Sequence, residues 1–447
     1  MKVRWLLSAA TAMAAFVGGA TAICAEDGES YRISDVAFAA AQKDDAKGGK
    51  DGCDSCGADK SDACGCESSC KGSCGDICEP WRLFPSVGQT TITGWAAAGA
   101  TVNADSPGSR YNGPVSFNDR DEVQVNQLYA VIEREAYSSC DTIGFGGRID
   151  VLFGTDYIFT QAVGLETTRS GAPKWNNRSH YGLALPQAYA EFTYNDLGVK
   201  VGHFYTIIGH EVVTAPDNFF YSHAYTMQYG EPFTHTGVLA TYDYSDSLQV
   251  VAGVHNGWDN FDAVTERAGF IGGAFWTNCD ESVSLAATLT SGHEQGGVAA
   301  NGYSDRTMYS LVGSFQVSDN LQYIIQHDNG WQDDFAANGG ARVEWYGLNQ
   351  YLIYTINECW AAGARFEWFR DDDGARVAGV RAGNPAATGG WEGSFYEVTA
   401  GLNWTPCSNI IVRPEVRWDW FNGVGNPYDG NTKQEQFTAA LDAIILF

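Results

Sequence analysis

The sequence predicts an all-β fold: a transmembrane antiparallel β-barrel of about 16 strands, preceded by a disordered cysteine-rich segment. Three observations indicate this fold. The chain begins like an export signal, polar and apolar side chains alternate along many short stretches, and the connections between those stretches are short and long in turn.

The first 25 residues have the parts of a secretory signal peptide. Lys2 and Arg4 precede an uncharged stretch, and residues 20–22 read Ala-Thr-Ala, which is an A-x-A cleavage site. Cleavage fits after residue 22 or after residue 25. The stretch is long enough for a retained membrane anchor. Its many Ala, Gly, Ser and Thr residues contribute little to insertion, so we favour export and removal.

Residues 26–80 are predicted to be a flexible, cysteine-rich periplasmic segment. Seven of the 12 cysteines fall within residues 53–78, among Gly, Ser, Asp and Lys. In an oxidising compartment, closely spaced cysteines form disulfides more often than zinc sites. Cys53-x-x-Cys56 has no second pair at a zinc-ribbon distance, and large apolar side chains are nearly absent. We interpret the segment as disulfide-bonded, with metal binding as the less favoured alternative.

From residue 81 onward, alternation with a period of two replaces any helical period. In residues 410–421 one parity is apolar, and the other carries four consecutive charges. Residues 143–153, 187–194, 360–368 and 436–447 alternate in the same way. Successive side chains of a strand point to opposite faces, so each stretch predicts a strand with one apolar face. Residues 342–355 mix the two parities, and we expect a β-bulge there.

Two architectures fit alternating strands: a soluble sandwich or propeller with its apolar faces inward, and a membrane barrel with its apolar faces outward. The lengths of the connections between strands distinguish them. Strict alternation of tight turns and long outer loops is typical of a membrane barrel. With a first strand near residues 90–102 and a loop at 103–121, the count is about 16 strands, with both ends periplasmic. The short turns are at 138–142, 195–198, 245–248, 278–282, 318–321, 357–360 and 406–409. The long connections are at 154–185, 207–234, 257–267, 292–305, 331–340, 371–391 and 422–433.

The charged faces of these strands are expected to point into the barrel. Arg or Lys facing lipid at the bilayer midplane costs about 2–4 kcal/mol, whereas a lumen of 16 to 18 strands holds water. The terminal Phe447, on an alternating strand, looks like the assembly signal of bacterial outer-membrane barrels. The candidate pore-lining residues are Arg148, Asp150, Glu191, Lys200, Arg365, Glu367, Arg413, Glu415, Arg417 and Asp419.

Residues 202–242 resemble the OmpL-like outer-membrane β-barrel porin family. The resembling parts are Gly-His-Phe-Tyr at 202–205, Gly-x-Glu at 209–211, Pro-Asp-Asn at 216–218 and Glu-Pro-Phe-Thr-His-Thr-Gly at 231–237. The resemblance covers most of the chain after residue 81 and does not extend to the cysteine-rich segment. It implies a porin-like channel in the outer membrane that lets small hydrophilic solutes or ions diffuse passively, with lipid and solutes as partners and no enzymatic activity.

The connection at 207–234 is a candidate constriction. It carries Glu211, Asp217, Asn218 and Glu231, and it either folds inward and narrows the pore or packs over the barrel rim. His210-Glu211 begins like a zinc-protease motif but lacks the second histidine. No metal site, cofactor or catalytic residue is predicted.

The net charge of −27 excludes a basic nucleic-acid surface and gives a mild bias toward cations. Wall charges that alternate in sign either shape the field in a pore or satisfy one another; the pattern leaves selectivity and oligomeric state open. A barrel enzyme would need a nucleophile motif, which is missing. A structural anchor that grips the cell wall or a partner through the cysteines is the main alternative function.

The four cysteines after residue 81 each lie in or beside a short turn, hence on the periplasmic rim. We expect them to join the cluster or another chain through disulfides, or else to be free thiols at tolerant positions. The disulfide candidates are Cys53, Cys56, Cys64, Cys66, Cys70, Cys74, Cys78, Cys140, Cys279, Cys359 and Cys407.

Overall fold

The structure is a computed structural model, and it describes residues 81–138, 142–176, 180–263, 265–295, 302–381 and 383–447. The predicted signal peptide, the whole cysteine-rich segment and Cys140 lie outside these residues. No helix within the described ranges is long and apolar enough to cross a membrane.

Seventeen strands account for almost all of the regular structure, with five short helical turns between them. The turns are 3₁₀ at Thr155–Thr160, Ala215–Asp217, Ala336–Asn338 and Pro385–Thr388, and π at Thr226–Gly230. The strands are β1 (Thr90–Asn103), β2 (Val123–Arg134), β3 (Gly144–Gly154), β4 (Gly182–Ala184), β5 (Ala188–Tyr194), β6 (Leu197–Tyr205), β7 (Thr234–Ser245), β8 (Leu248–His255), β9 (Gly269–Thr277), β10 (Val283–Gln295), β11 (Tyr303–Ser318), β12 (Leu321–Phe335), β13 (Ala341–Asn357), β14 (Trp360–Asp371), β15 (Gly393–Cys407), β16 (Ile410–Gly423) and β17 (Glu435–Leu446).

The strands close into one antiparallel barrel. Neighbours in sequence pair with each other, and β17 returns to pair with β1. The short β4 and the following β5 both pair with β3, so they occupy one position and the barrel has 16 strands around its circumference. Pro186 lies at the break, where it can donate no ladder hydrogen bond. The predicted fold class and strand number are confirmed, and a sandwich or propeller is excluded.

The predicted orientation of the faces is observed in β16. Val416 and Trp418 are 43% and 47% exposed on the outer surface, whereas Arg413, Glu415 and Arg417 are buried in the interior. Aromatic side chains stack across neighbouring strands on the outside, as in the Trp360–Trp404 pair, whose ring centroids are 5.7 Å apart. The outer surface is therefore the lipid-facing one.

Two details differ from the expectation. Strands β10 to β13 extend beyond the ends predicted for them, because polar residues continue the ladder past the apolar band, as in the pair His293 and Asp305. The bulge expected within residues 342–355 is wrong: β13 pairs regularly with β12 from Val343 to Tyr354, and the shifts lie at the ends of the strand. The parities are mixed there because Trp345 and Tyr351 point inward and are buried, which indicates that the barrel interior is packed.

Candidate functional site

The long connection between β6 and β7 folds into the barrel and does not pack over its rim. Every residue from Tyr221 to Gly230 is buried, and hydrogen bonds join this stretch to the inner wall at β13, β14 and β16. We call residues 207–234 the inserted segment. The backbone of this segment must find hydrogen-bond partners inside the barrel, since buried N–H and C=O groups are rarely left unpaired.

Wall carboxylates accept hydrogen bonds from the backbone of the inserted segment. Glu415 on β16 accepts from the N–H groups of residues 221 and 222, at 2.9 and 3.1 Å. Glu367 on β14 accepts from the N–H groups of residues 225 and 226, at 2.5 and 2.6 Å. Each of these two wall side chains therefore accepts from two successive N–H groups and holds a defined stretch of backbone.

Wall guanidinium groups donate to the carbonyl groups of the same segment. Arg413 donates to the carbonyl oxygens of Ala215 and Asn218, at 2.8 and 2.6 Å. Arg417 donates to the carbonyl oxygen of His223 at 2.7 Å. The alternating Arg and Glu residues of β16 therefore match the alternating acceptors and donors of a peptide backbone.

Arg365 on β14 is the centre of this network. Its side chain is fully buried, and it contacts Glu211 of the inserted segment at 2.6 Å and Glu397 of β15 at 2.5 Å. It also donates to the carbonyl oxygen of Ser222 at 2.7 Å. Glu211 in turn accepts from the Tyr351 hydroxyl at 3.1 Å. The guanidinium thus joins two wall strands to the inserted segment.

The remaining candidate pore-lining residues fall into two groups. Arg148 and Asp150 pair with each other at 2.8 Å and are buried on β3. Glu191 and Lys200 are opposite each other in the β5–β6 ladder and are half-buried. Asp419 is buried, 2.7 Å from Arg417. Among these residues, only Glu191 and Lys200 are substantially accessible to water.

The four candidate constriction residues have different surroundings. Glu211 and Asn218 are buried, and Asn218 closes a local turn through the backbone of Val212. Glu231 is buried and accepts from the Gln326 side chain at 2.6 Å. Asp217 is the exposed member of the set. Three of the four therefore hold the segment in place instead of facing an open passage.

Several residues that hold the inserted segment are absent from the set predicted from the sequence. Trp345 donates through its indole N–H to the carbonyl oxygen of Gly230 at 3.0 Å. Tyr225 donates to Asp419 at 2.7 Å and contacts the Tyr428 hydroxyl at 2.9 Å. The inward apolar residues of β13 were the available signal, because a strand that faces only water on its inner side would have no need of them.

Two outer connections cover the inserted segment from the extracellular side. Gln228 accepts from the N–H group of Ser116 at 2.7 Å, in the connection between β1 and β2. Tyr229 donates to the carbonyl oxygen of Ala378, and its own carbonyl oxygen accepts from Arg376, both at 2.7 Å. The segment is therefore enclosed between the wall and these connections.

Two carboxyl groups in the outer connections have raised pKa values. Burial raises the pKa of Asp156 to about 7, although it accepts hydrogen bonds from Gln127 and Asn126. Burial also raises the pKa of Asp259 to about 6, although it accepts from the N–H groups of residues 233 and 234. Asp259 thus fixes the point at which the inserted segment ends and β7 begins.

Clusters of metal-ligating side chains were the other arrangement to consider within the described ranges. No group of three or more His, Cys, Asp or Glu side chains there is arranged to hold a metal ion. The interior is organised around hydrogen bonds between charged wall side chains and backbone, which is an arrangement for positioning a polypeptide segment.

Residues 89–447 match the family model described as "Putative beta-barrel porin-2, OmpL-like". The chain belongs to this family. Membership in the OmpL-like porin family makes the chain a porin-like channel protein of the bacterial outer membrane. It confirms the resemblance drawn from residues 202–242. A search of curated protein sequences finds no match.

Solved structures similar to this OmpL-like porin are outer-membrane channels. The channel DcaP of Acinetobacter baumannii has a TM-score of 0.51 at 13% identity, covering 82% of this chain and 100% of its own. An anion-selective porin from Comamonas acidovorans has a TM-score of 0.52 at 8% identity, covering 80% and 99%. The trimer form of OmpT from Vibrio cholerae has a TM-score of 0.50 at 13% identity, covering 80% and 99%. At these identities the likeness establishes the barrel fold alone.

Proposed function

We propose that this porin lets small hydrophilic solutes or ions diffuse across the outer membrane through a passage that the inserted segment restricts. The observation that carries the proposal is the binding of that segment to the inner wall. Its backbone N–H groups donate to Glu415 and Glu367, and its Glu211 pairs with Arg365 of the wall. The role is transport without catalysis, and no cofactor takes part.

The size of the barrel supports this proposal. A barrel of 16 to 18 strands encloses an aqueous channel when nothing fills it, so the inserted segment decides how much of that cross-section remains for solutes. Glu191 and Lys200 are the proposed pore-lining residues in contact with water, and Glu211, Asn218 and Glu231 are proposed to hold the constriction. Arg148, Asp150 and the wall charges of β14 and β16 are proposed to shape the field indirectly.

Planar bilayers test the proposal. Purified protein with confirmed insertion is expected to give small ohmic steps, because the interior is narrowed by a segment held through many hydrogen bonds. Inserted protein that stays silent at all voltages would contradict the channel and favour a structural anchor. Hydrolysis of lipid or peptide by the same preparation would indicate an enzyme.

A second candidate function is an anchor that is fastened at the periplasmic rim by disulfides. One observation favours it: the backbone of Trp81 forms hydrogen bonds with the side chain of Asn409, in the turn between β15 and β16. Trp81 follows Cys78 by three residues, which span at most about 11 Å of extended chain. The same turn begins beside Cys407 at the end of β15. Trp81, the first described residue, therefore lies at a rim that carries a thiol.

The state of the rim cysteines gives a direct test of this fastening. Cys407 is a free, half-buried thiol, and we propose that Cys279 and Cys359 form disulfides. We expect Cys407 to react with iodoacetamide without prior reduction, and Cys279 and Cys359 to react only after it. Non-reducing peptide mapping should then link these two turns to the cluster at residues 53–78 or to a second chain. If Cys279 and Cys359 react before reduction, the fastening is wrong and the cluster is bonded only within itself.

A further inference from the structure

A cavity of about 280 Å³ lies between three outer connections, and no residue of the inserted segment belongs to its lining. The connections follow β1, β3 and β14. Its polar and aromatic lining includes Tyr111, Tyr157, Gln161, Thr167, His180 and Arg381. Pockets for drug-sized ligands measure about 300–1,000 Å³, so this cavity suits a smaller molecule. Its walls combine tyrosine rings with amide, hydroxyl and imidazole groups.

The one cationic side chain of this lining set is already used by the protein. Arg381 is buried and pairs with Asp119. It also donates to the carbonyl oxygen of His180 at 3.1 Å and to that of Thr155 at 2.5 Å. A guanidinium with a carboxylate and two carbonyl acceptors does not need an anionic ligand.

The protonation of His180 follows from its neighbours. The amide nitrogen of Gln124 donates to Asp119 at 2.8 Å and lies 3.1 Å from Nε2 of His180. Since the carboxylate fixes the amide orientation, Nε2 accepts and the ring hydrogen is on Nδ1. Burial lowers the pKa of His180 to about 4. The ring is therefore neutral at ordinary pH, and its Nδ1–H has no acceptor among the described residues.

Other neutral polar groups on β2 and in these outer connections also lack partners in the described part of the chain, but they do not belong to the cavity lining. They are both side-chain amide atoms of Asn118, next to Asp119, the hydroxyl of Thr160, next to Gln161, and the amide oxygen of Gln124. Most buried polar side chains in proteins have at least one hydrogen-bond partner. The cavity lining itself therefore offers neutral polar groups and no unused charge.

We propose that this cavity binds a neutral, polyhydroxylated solute of monosaccharide size. Hydroxyl groups both donate and accept, so they match the mixed, uncharged groups of the site, and the rings of Tyr111 and Tyr157 provide apolar surface for the C–H faces of a sugar. The site lies on the extracellular side, ahead of the restriction. The inference rests on the proposed function in that it names a solute class for the channel.

The test uses three sugars with the same ring size and different charge. Saturation-transfer NMR of the full-length protein in detergent is expected to show saturable binding of D-glucose, with several-fold weaker binding of anionic D-glucuronate and cationic D-glucosamine. Loss of one neutral hydrogen bond costs about 0.5–1.5 kcal/mol, so His180→Phe should weaken glucose binding by about two- to tenfold. His293→Phe is the control, because His293 pairs with Asp305 away from the cavity.

The possible outcomes test the sugar site and the channel function independently. Tighter binding of glucuronate than of glucose would overturn the neutral class in favour of an anion held by Arg381. No saturable binding of any sugar, or equal loss in both histidine variants, would overturn the site. Conductance without sugar binding would contradict this inference and leave the channel standing, whereas sugar binding with silent bilayers would contradict the channel and leave the site.

Discussion

Arg365→Gln is expected to release the inserted segment from the wall and to raise single-channel conductance several-fold. The arginine is fully buried between Glu211 and Glu397. Without its charge, two carboxylates remain buried close together with no cation between them. Breaking a buried ion pair by removing one partner costs about 3–5 kcal/mol. Movement of Glu211 into water, together with its segment, relieves that cost.

Bilayer recording and limited proteolysis measure this release together. The variant should give larger conductance steps and new cleavage within residues 207–234, while the barrel remains folded. Arg342→Gln is the matched control, because Arg342 is 44% exposed and pairs with Asp333 at the outer end of β13; an exposed pair of this kind contributes about 0–1 kcal/mol. Unchanged conductance and cleavage in Arg365→Gln would show that Arg365 does not hold the segment.

Val416→Arg is expected to impair assembly of the barrel and to lower the folded fraction. Val416 lies on the outer face near the middle of β16, where it contacts lipid. Placing arginine against lipid near the midplane costs about 2–4 kcal/mol, and the cost falls to about 0–1 kcal/mol near the interfaces. The midplane cost is a large share of the free energy of unfolding of a typical folded domain.

The folded fraction is measured by heat-modifiable migration after refolding into vesicles. Val424→Arg is the control, because Val424 is 69% exposed just beyond the end of β16, and it should assemble like the unmodified protein. If Val416→Arg also assembles fully, the assignment of the outer face of β16 is wrong.

The barrel could be predicted from the sequence because its signals are local and repeated. Strand β16 shows this in one stretch: the parity of Val416 and Trp418 faces lipid, and the parity of Arg413 and Arg417 faces inward. Turn positions followed from the same alternation, since a strand cannot continue through a polar turn. Strand ends were less certain, because polar residues near His293 continue the ladder beyond the apolar band.

The function of the wall charges could not be derived from the same pattern. Alternating Arg and Glu residues in a strand are equally suited to an open pore, to mutual salt bridges or to binding a backbone. Their partners, such as the N–H groups of Tyr221 and Thr226, are about 140 to 190 residues away in the chain. Only the fold brings them together. The inward Trp345 and Tyr351 were the local sign that the interior is packed.

The restriction is tested most directly by comparing the single-channel conductance of the full chain with that of a variant. In the variant, a short Gly-Ser linker replaces residues 210–230, and both proteins are recorded in the same bilayers. In the variant the wall charges of β14 and β16 become hydrated, so the barrel should stay folded with a wider lumen. We expect small steps from the full chain and several-fold larger steps from the variant. Equal conductance of the two proteins, both folded and inserted, would contradict the restriction by the inserted segment.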